Sequence, residues 1–146
     1  MALYFDGIIP TPEGNSKYMA IFYMDTPEKV YIKKVPFGGR GYRDYISYYE
    51  EDPEKAFTRR ENYLDRHRPR EHEFWDSNPM AASALSKWIL WNRPTLEESL
   101  LSYKRKFKLR EPPAGVISRV TDRRMFYGLP KTYRDKLENA IRDSKE

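Results

Sequence analysis

Proline sets the limits of what this chain can build. Eleven prolines are spread over 146 residues, and each fixes its own φ and removes a backbone donor. The segments between them read as short elements. Pro10, Pro12 and Gly14 interrupt any period at the start, so residues 1–16 read as an extended arm carrying apolar Leu3, Tyr4, Phe5, Ile8 and Ile9. Residues 17–24, KYMAIFYM, and 30–35, VYIKKV, are rich in β-branched and aromatic types. Asp25-Thr26-Pro27-Glu28 between them suits a turn. The pattern predicts a β-hairpin, which is marginal alone and must lie on helices or a third strand.

Phe37-Gly38-Gly39-Arg40-Gly41 reads as a flexible loop and lacks the spacing of a phosphate-cradling glycine loop. Residues 42–49 suit a short helix. Asp52-Pro53 then offers an N-cap with proline at the first helical position. Phe57, Tyr63, Leu64 and His67 follow at helical spacing until Pro69, where the helix is expected to stop. Asn78-Pro79 repeats the start signal, and Ala81, Ala84, Leu85, Trp88 and Trp91 share one face of 80–91. Pro94 keeps Asn92-Arg93 out of continuous helix. Thr95 with Glu98 reads as a capping box, and Leu96, Leu100, Tyr103 and Phe107 mark an amphipathic helix. The expected result is a helical hairpin over 80–107. Trp88, Trp91, Asn92, Pro94, Thr95 and Leu96 are its fold-determining residues.

Residues 108–131 lose the period at Pro112-Pro113, Gly115 and Gly128-Leu129-Pro130 and read as a second arm. Tyr133, Leu137 and Ile141 give a short terminal helix after a cap at Thr132 with Asp135. The fold class is therefore α+β: a small hairpin or sheet packed with about four short helices, with extended arms at both ends. The division is an arm at 1–16, a core domain at 17–107, and a C-terminal arm with its helix at 108–146.

Composition narrows the function. The chain is 39% hydrophobic and 34% charged, enough for one modest core, and its 15% aromatic content argues against wholesale disorder. No apolar run approaches the ~18 residues of a membrane span, and residues 1–14 show no secretory signal pattern. The absence of Cys excludes disulfides, a thiolate nucleophile and a Cys-bound zinc. Two histidines remain, His67 and His72, beside Glu71 and Glu73; they are the sole motive for a small hydrolase or nuclease. Their spacing is not the i, i+4 pair of a helical metal site. No catalytic constellation, cofactor motif or metal set is visible, so the expectation is a protein that is not an enzyme.

Charge is unevenly spread. Residues 1–73 carry 12 basic and 13 acidic side chains, whereas 74–146 carry 15 and 9, so the second half holds the whole excess. Its densest piece is Lys104, Arg105, Lys106, Lys108 and Arg110, interleaved with Phe107 and Leu109. A polyanion or an acidic protein surface is the expected neighbour, against the alternative of a solvated helix end favoured by the dipole. Trp88 and Trp91 beside it read as core packing, or else as a platform on which bases stack.

Several stretches resemble a known family. They are Phe37-Gly38-Gly39-Arg40-Gly41-Tyr42-Arg43-Asp44-Tyr45, Tyr63-Leu64-Asp65-Arg66-His67, Phe74-Trp75, Ser86-Lys87-Trp88-Ile89-Leu90-Trp91-Asn92-Arg93-Pro94-Thr95-Leu96 and Lys104-Arg105-Lys106-Phe107. Together with 17–35 they resemble small basic proteins of the nucleocytoplasmic large double-stranded DNA viruses, such as chloroviruses and mimiviruses. The resemblance spans 17–107 and is most specific at Leu90–Leu96. Ile89 stands where the family has Leu, Arg93 where it has Lys, and Arg68-Pro69-Arg70 is an insertion.

The family has little assigned activity, so the resemblance implies context more than mechanism. It implies a structural virion protein made in the host cytoplasm, a minor capsid protein that cements or supports the major capsid lattice of a large icosahedral particle. Its partners would be the major capsid protein and neighbouring minor capsid proteins, near an inner membrane that it does not span. The basic second half keeps a nucleic-acid-binding protein of the viral genome as the alternative. The arms are expected to be ordered mainly by neighbouring subunits. They would bury Phe5, Ile8, Ile9, Val116, Ile117, Met125, Phe126 and Tyr127 there, and pair Arg119, Arg123 and Arg124 with a partner's carboxylates.

Overall fold

The computed structural model describes residues 2–11, 14–120, 123–126 and 128–143. It is α+β, built on a three-stranded antiparallel sheet in the order β1-β2-β3. The strands are β1 (Ala2–Pro10), β2 (Ser16–Asp25) and β3 (Val30–Gly39). The β2–β3 hairpin is present in the expected place, and its turn closes with the Thr26 N–H donating to the Lys29 carbonyl at 3.1 Å.

The N-terminal segment corrects the sequence reading. Residues 2–10 are an edge strand, with Phe5 opposite Phe22 and Ile8 opposite Ala20. The register shifts between Phe5 and Ile8, where Gly7 takes a φ of 102°. Such a bulge adds one residue and turns a side chain to the other face. That irregularity hides the strand's alternation in the sequence.

Both faces of the sheet are covered. On one lie Phe5, Ala20, Phe22, Val35 and Phe37, packed against Leu85, Ile89, Leu90 and Tyr103. On the other lie Ile21, Tyr23, Val30 and Ile32, packed against Val116, Ile117, Val120, Phe126, Leu129, Tyr133, Leu137 and Ile141. The C-terminal segment is therefore no free arm; it folds back over the chain's own sheet. Its elements are α5 (Ala114–Ile117), a 3-10 turn (Arg123–Phe126) and α6 (Lys131–Asp143). Of the residues expected to meet a partner, Tyr127 and the side chains of Arg123 and Met125 lie outside the described residues.

After the sheet come α1 (Tyr45–Glu51) and α2 (Pro53–Trp75). Asp44 caps α1 in a reciprocal box with Ser47, and Asp52 caps α2 by accepting from the Glu54 and Lys55 N–H groups. Pro69 does not end α2, which runs on to Trp75. Pro69 is exposed, so water can reach the carbonyl that its missing N–H leaves free, and such a site tolerates proline. Then α3 (Ala82–Leu85) passes into one π-helical turn, Ser86–Leu90, before α4 (Leu96–Phe107).

The motif between those helices has visible structural work. Trp88 Nε1 donates to the Trp75 carbonyl at 2.6 Å. Asn92 Nδ2 reaches Ser102 Oγ at 2.9 Å, and the Arg93 N–H reaches buried Ser99 at 3.0 Å. Thr95 Oγ1 caps the Glu98 N–H at 3.1 Å; the reciprocal half of the expected box is not formed. Pro94 stands in the non-helical stretch 91–95, and Leu96 packs against the Phe5–Phe22 side of the core.

Candidate functional site

Two polar surfaces stand out. The first is a shallow groove at the C-terminal end of α4, lined by Leu101, Lys104, Arg105, Lys108, Leu109, Arg110 and Glu111. Lys108 closes the helix in the left-handed region with φ 54°. Lys104, Arg105 and Lys108 form no ion pair among the described residues. Arg110 lies over the Tyr4 ring. Lys106 turns away, 3.4 Å from Asp76 and over Trp88.

Of the other predicted cations, Arg119 and Arg124 do not line this groove, and the Arg123 side chain lies outside the described residues. Arg119 is 2.6 Å from Asp25 and also donates to the Thr26 carbonyl at 3.1 Å, so it clamps the β2–β3 turn rather than awaiting a partner. Arg124 already has an interaction within the chain.

The second surface is a cleft of about 650 Å³ that the sequence reading did not single out. Its floor is the end of β3, where Gly38 has φ 76°. A Cβ on Gly38 would lie 2.7 Å from Leu90 Cδ1, and one on Gly39 would lie 2.7 Å from the Tyr42 ring. The glycines thus let the π-helical turn and Tyr42 close on the strand. Lys17 ties this end together, donating to Asp44 and to the Tyr42 carbonyl, both at 2.8 Å.

One wall is α2. Arg59, Asn62, Tyr63 and Arg66 line the cleft, and their spacing of three, four and seven is one helix face. His67 and Glu71 continue it, His67 Nδ1 hydrogen-bonding the Glu71 carboxylate. His67, Tyr63 and Trp91 form a column of stacked rings, with centroids 4.1 Å apart for the first pair and 4.3 Å for the second. Burial, then the Glu71 charge, pushes the Tyr63 hydroxyl up to about 12. The π-helical turn sets this stack: the Trp91 N–H bonds to the Ser86 carbonyl five residues back. Such turns occur often at functional sites.

The opposite wall carries Arg43 and Tyr48. The Arg43 and Arg59 guanidiniums lie 4.4 and 5.1 Å from the Tyr48 ring. Arg43 also pairs with exposed Glu51 at 2.8 Å. Arg59 and Arg66 have no carboxylate partner among the described residues.

Nucleophilic catalysis needs a base within reach of a nucleophile. No hydroxyl is hydrogen-bonded to His67 among the described residues. No three His, Asp or Glu side chains there converge as a metal set. No described helix is long and apolar enough to cross a membrane. No family model, curated protein or solved structure matches the chain.

Proposed function

We propose that this chain is a non-enzymatic nucleic-acid-binding protein that meets phosphates through the end of α4. The observation that carries the reading is the set of Lys104, Arg105, Lys108 and Arg110 around one groove, with Glu111 the single carboxylate lining it. Cations at the end of a helix, Lys108 at the cap included, also suit the dipole, but the dipole does not account for Arg110, which lies beyond the cap. Four phosphates neutralised give a log–log salt slope of roughly −3 to −4. Titrating labelled DNA at several salt concentrations measures it. A flat dependence, or no binding at low salt, rejects the reading.

A second reading is a minor capsid component that cements or supports the major capsid lattice of a large icosahedral DNA virus, with other capsid proteins as partners. The family resemblance supports it, as do Phe57, Phe74 and Leu101, large apolar side chains left 52, 44 and 46% exposed. Exposed apolar surface favours contact with other proteins. The docked arms no longer argue for it. Quantitative proteomics of purified particles is expected to find the chain at a fixed ratio to the major capsid protein; its absence from particles ends this reading.

A further inference from the structure

We infer that the cleft between β3, α1, α2 and the π-helical turn binds a nucleotide, its phosphates on Arg59 and Arg66 and its base against Tyr42 and Trp91. This site is separate from the α4 groove and does not depend on the reading given to that groove. Four observations converge on it.

The first is size. At about 650 Å³ the cleft falls in the range of small-ligand pockets, roughly 300–1,000 Å³. The second is uncompensated charge. Arg59 and Arg66 stand seven residues apart on one face, about 10 Å along the helix at 1.5 Å per residue. Neither has a carboxylate partner among the described residues. Guanidinium forks match phosphate oxygens bidentately, and two at this separation suit more than one phosphate. Arg43 adds a third, since its pair with Glu51 is at the surface and exchangeable.

The third is the aromatic wall. Tyr42 is 78% exposed and held beside the cleft by its contact with Gly39. Trp91 is braced by stacking on Tyr63, with interplanar angle 5°. Braced rings are suitable stacking surfaces for a base. The fourth is rigidity. The Lys17 bonds to Asp44 and the Tyr42 carbonyl, and the close approach of Leu90 to Gly38, join the walls before any ligand arrives, which lowers the ordering cost of binding.

Calorimetry with ADP, pyrophosphate and adenosine tests the assignment. ADP is expected to bind, and more tightly than either fragment. Arg59 and Arg66 are exposed and helical, so R59A/R66A is expected to fold, as circular dichroism will verify. It should weaken ADP by about tenfold per arginine. Tyr42→Ala, at a solvent-exposed ring, should weaken ADP and leave pyrophosphate unchanged. K104A/R105A/K108A should leave ADP binding intact while abolishing the salt-dependent DNA binding. A free nucleotide and a phosphorylated strand end share this chemistry. Displacement of ADP by a short 5′-phosphorylated oligonucleotide assigns the strand end, and failure to displace it assigns the free nucleotide. The inference is overturned by no ADP binding at millimolar concentration, by R59A/R66A binding ADP as the parent does, or by pyrophosphate equalling ADP.

Discussion

Replacing Leu137 by alanine is expected to destabilise the protein by about 2–5 kcal/mol, the range for a large-to-small change in a packed interior. Leu137 is 0% exposed and belongs to the cluster that includes Ile21, Tyr23, Val30 and Ile32. Three polar contacts fix α6 over that face. Tyr133 donates to the Asp6 carboxylate and meets the Tyr23 hydroxyl at 2.8 Å, and Lys136 pairs with Asp6 at 3.1 Å. Asp6 follows Phe5, which packs on the opposite layer, so strand alternation alone turns it toward α6. Loss of the Leu137 side chain leaves a cavity that these contacts prevent from collapsing fully. The effect is expected as a reduced urea midpoint, with faster amide exchange at Ile21, Tyr23 and 116–120. A fall in the melting temperature of less than ~2 °C, at the rough conversion for domains of this size, would mean that α6 does not stabilise the sheet.

The β-hairpin and the caps at Asp52 and Thr95 were legible because their signals are local, whereas the starts expected at Asn78-Pro79 and Thr132 did not form, α3 beginning at Ala82 and α6 at Lys131. Asp52-Pro53 and Thr95 each act within three residues of themselves. The covering of both sheet faces is also written in the chain. A hairpin with one wet face alternates apolar and polar residues, whereas a strand buried on both sides is apolar throughout. Residues 18–24 are apolar at every position, with Ala20, Phe22 and Ile21, Tyr23 facing opposite layers. Such a strand requires a second covering layer, and 114–141, with Tyr133, Leu137 and Ile141 on one helix face, is the remaining source of one.

The cleft was harder to read, for physical reasons. It gathers residues from four distant segments, around Lys17, Gly38–Asp44, Arg59–Glu71 and Ser83–Trp91. Only the α2 stripe leaves a sequence trace, and a charged stripe on a helix ordinarily reads as its solvated face. Reading α2 as broken at Pro69 also separated His67 from Glu71, which the continuous helix joins. The π-helical turn has no composition signal, yet it is what places Trp91 on Tyr63.

Raising the pH above 10 is expected to unfold the protein cooperatively. Four buried tyrosines, Tyr23, Tyr63, Tyr103 and Tyr133, are held above the ordinary tyrosine value of 10.0 chiefly by burial. Asp6 adds to the effect at Tyr23 and Tyr133, and Glu71 at Tyr63. In the unfolded chain these hydroxyls ionise near pH 10, while in the fold they keep their protons. The folded state then binds more protons, so stability falls as pH rises. Below pH 10 both states are protonated and the contribution is fully present. It is lost upward from there, to about pH 12 for Tyr63 and further for the other three. Each tyrosine contributes a slope of about 1.4 kcal/mol per pH unit, so four give about 5. A domain stable by 5–15 kcal/mol in the usual range therefore unfolds within about one to three units of pH 10. Tyrosinate absorbance and far-UV circular dichroism should change together. Tyr103→Phe should lower the slope by about a quarter while removing its 2.5 Å hydrogen bond to the Pro79 carbonyl. Ionisation of all tyrosines near pH 10 with the circular dichroism unchanged would show that these hydroxyls reach water in the native fold, and the two covered faces described above would not hold.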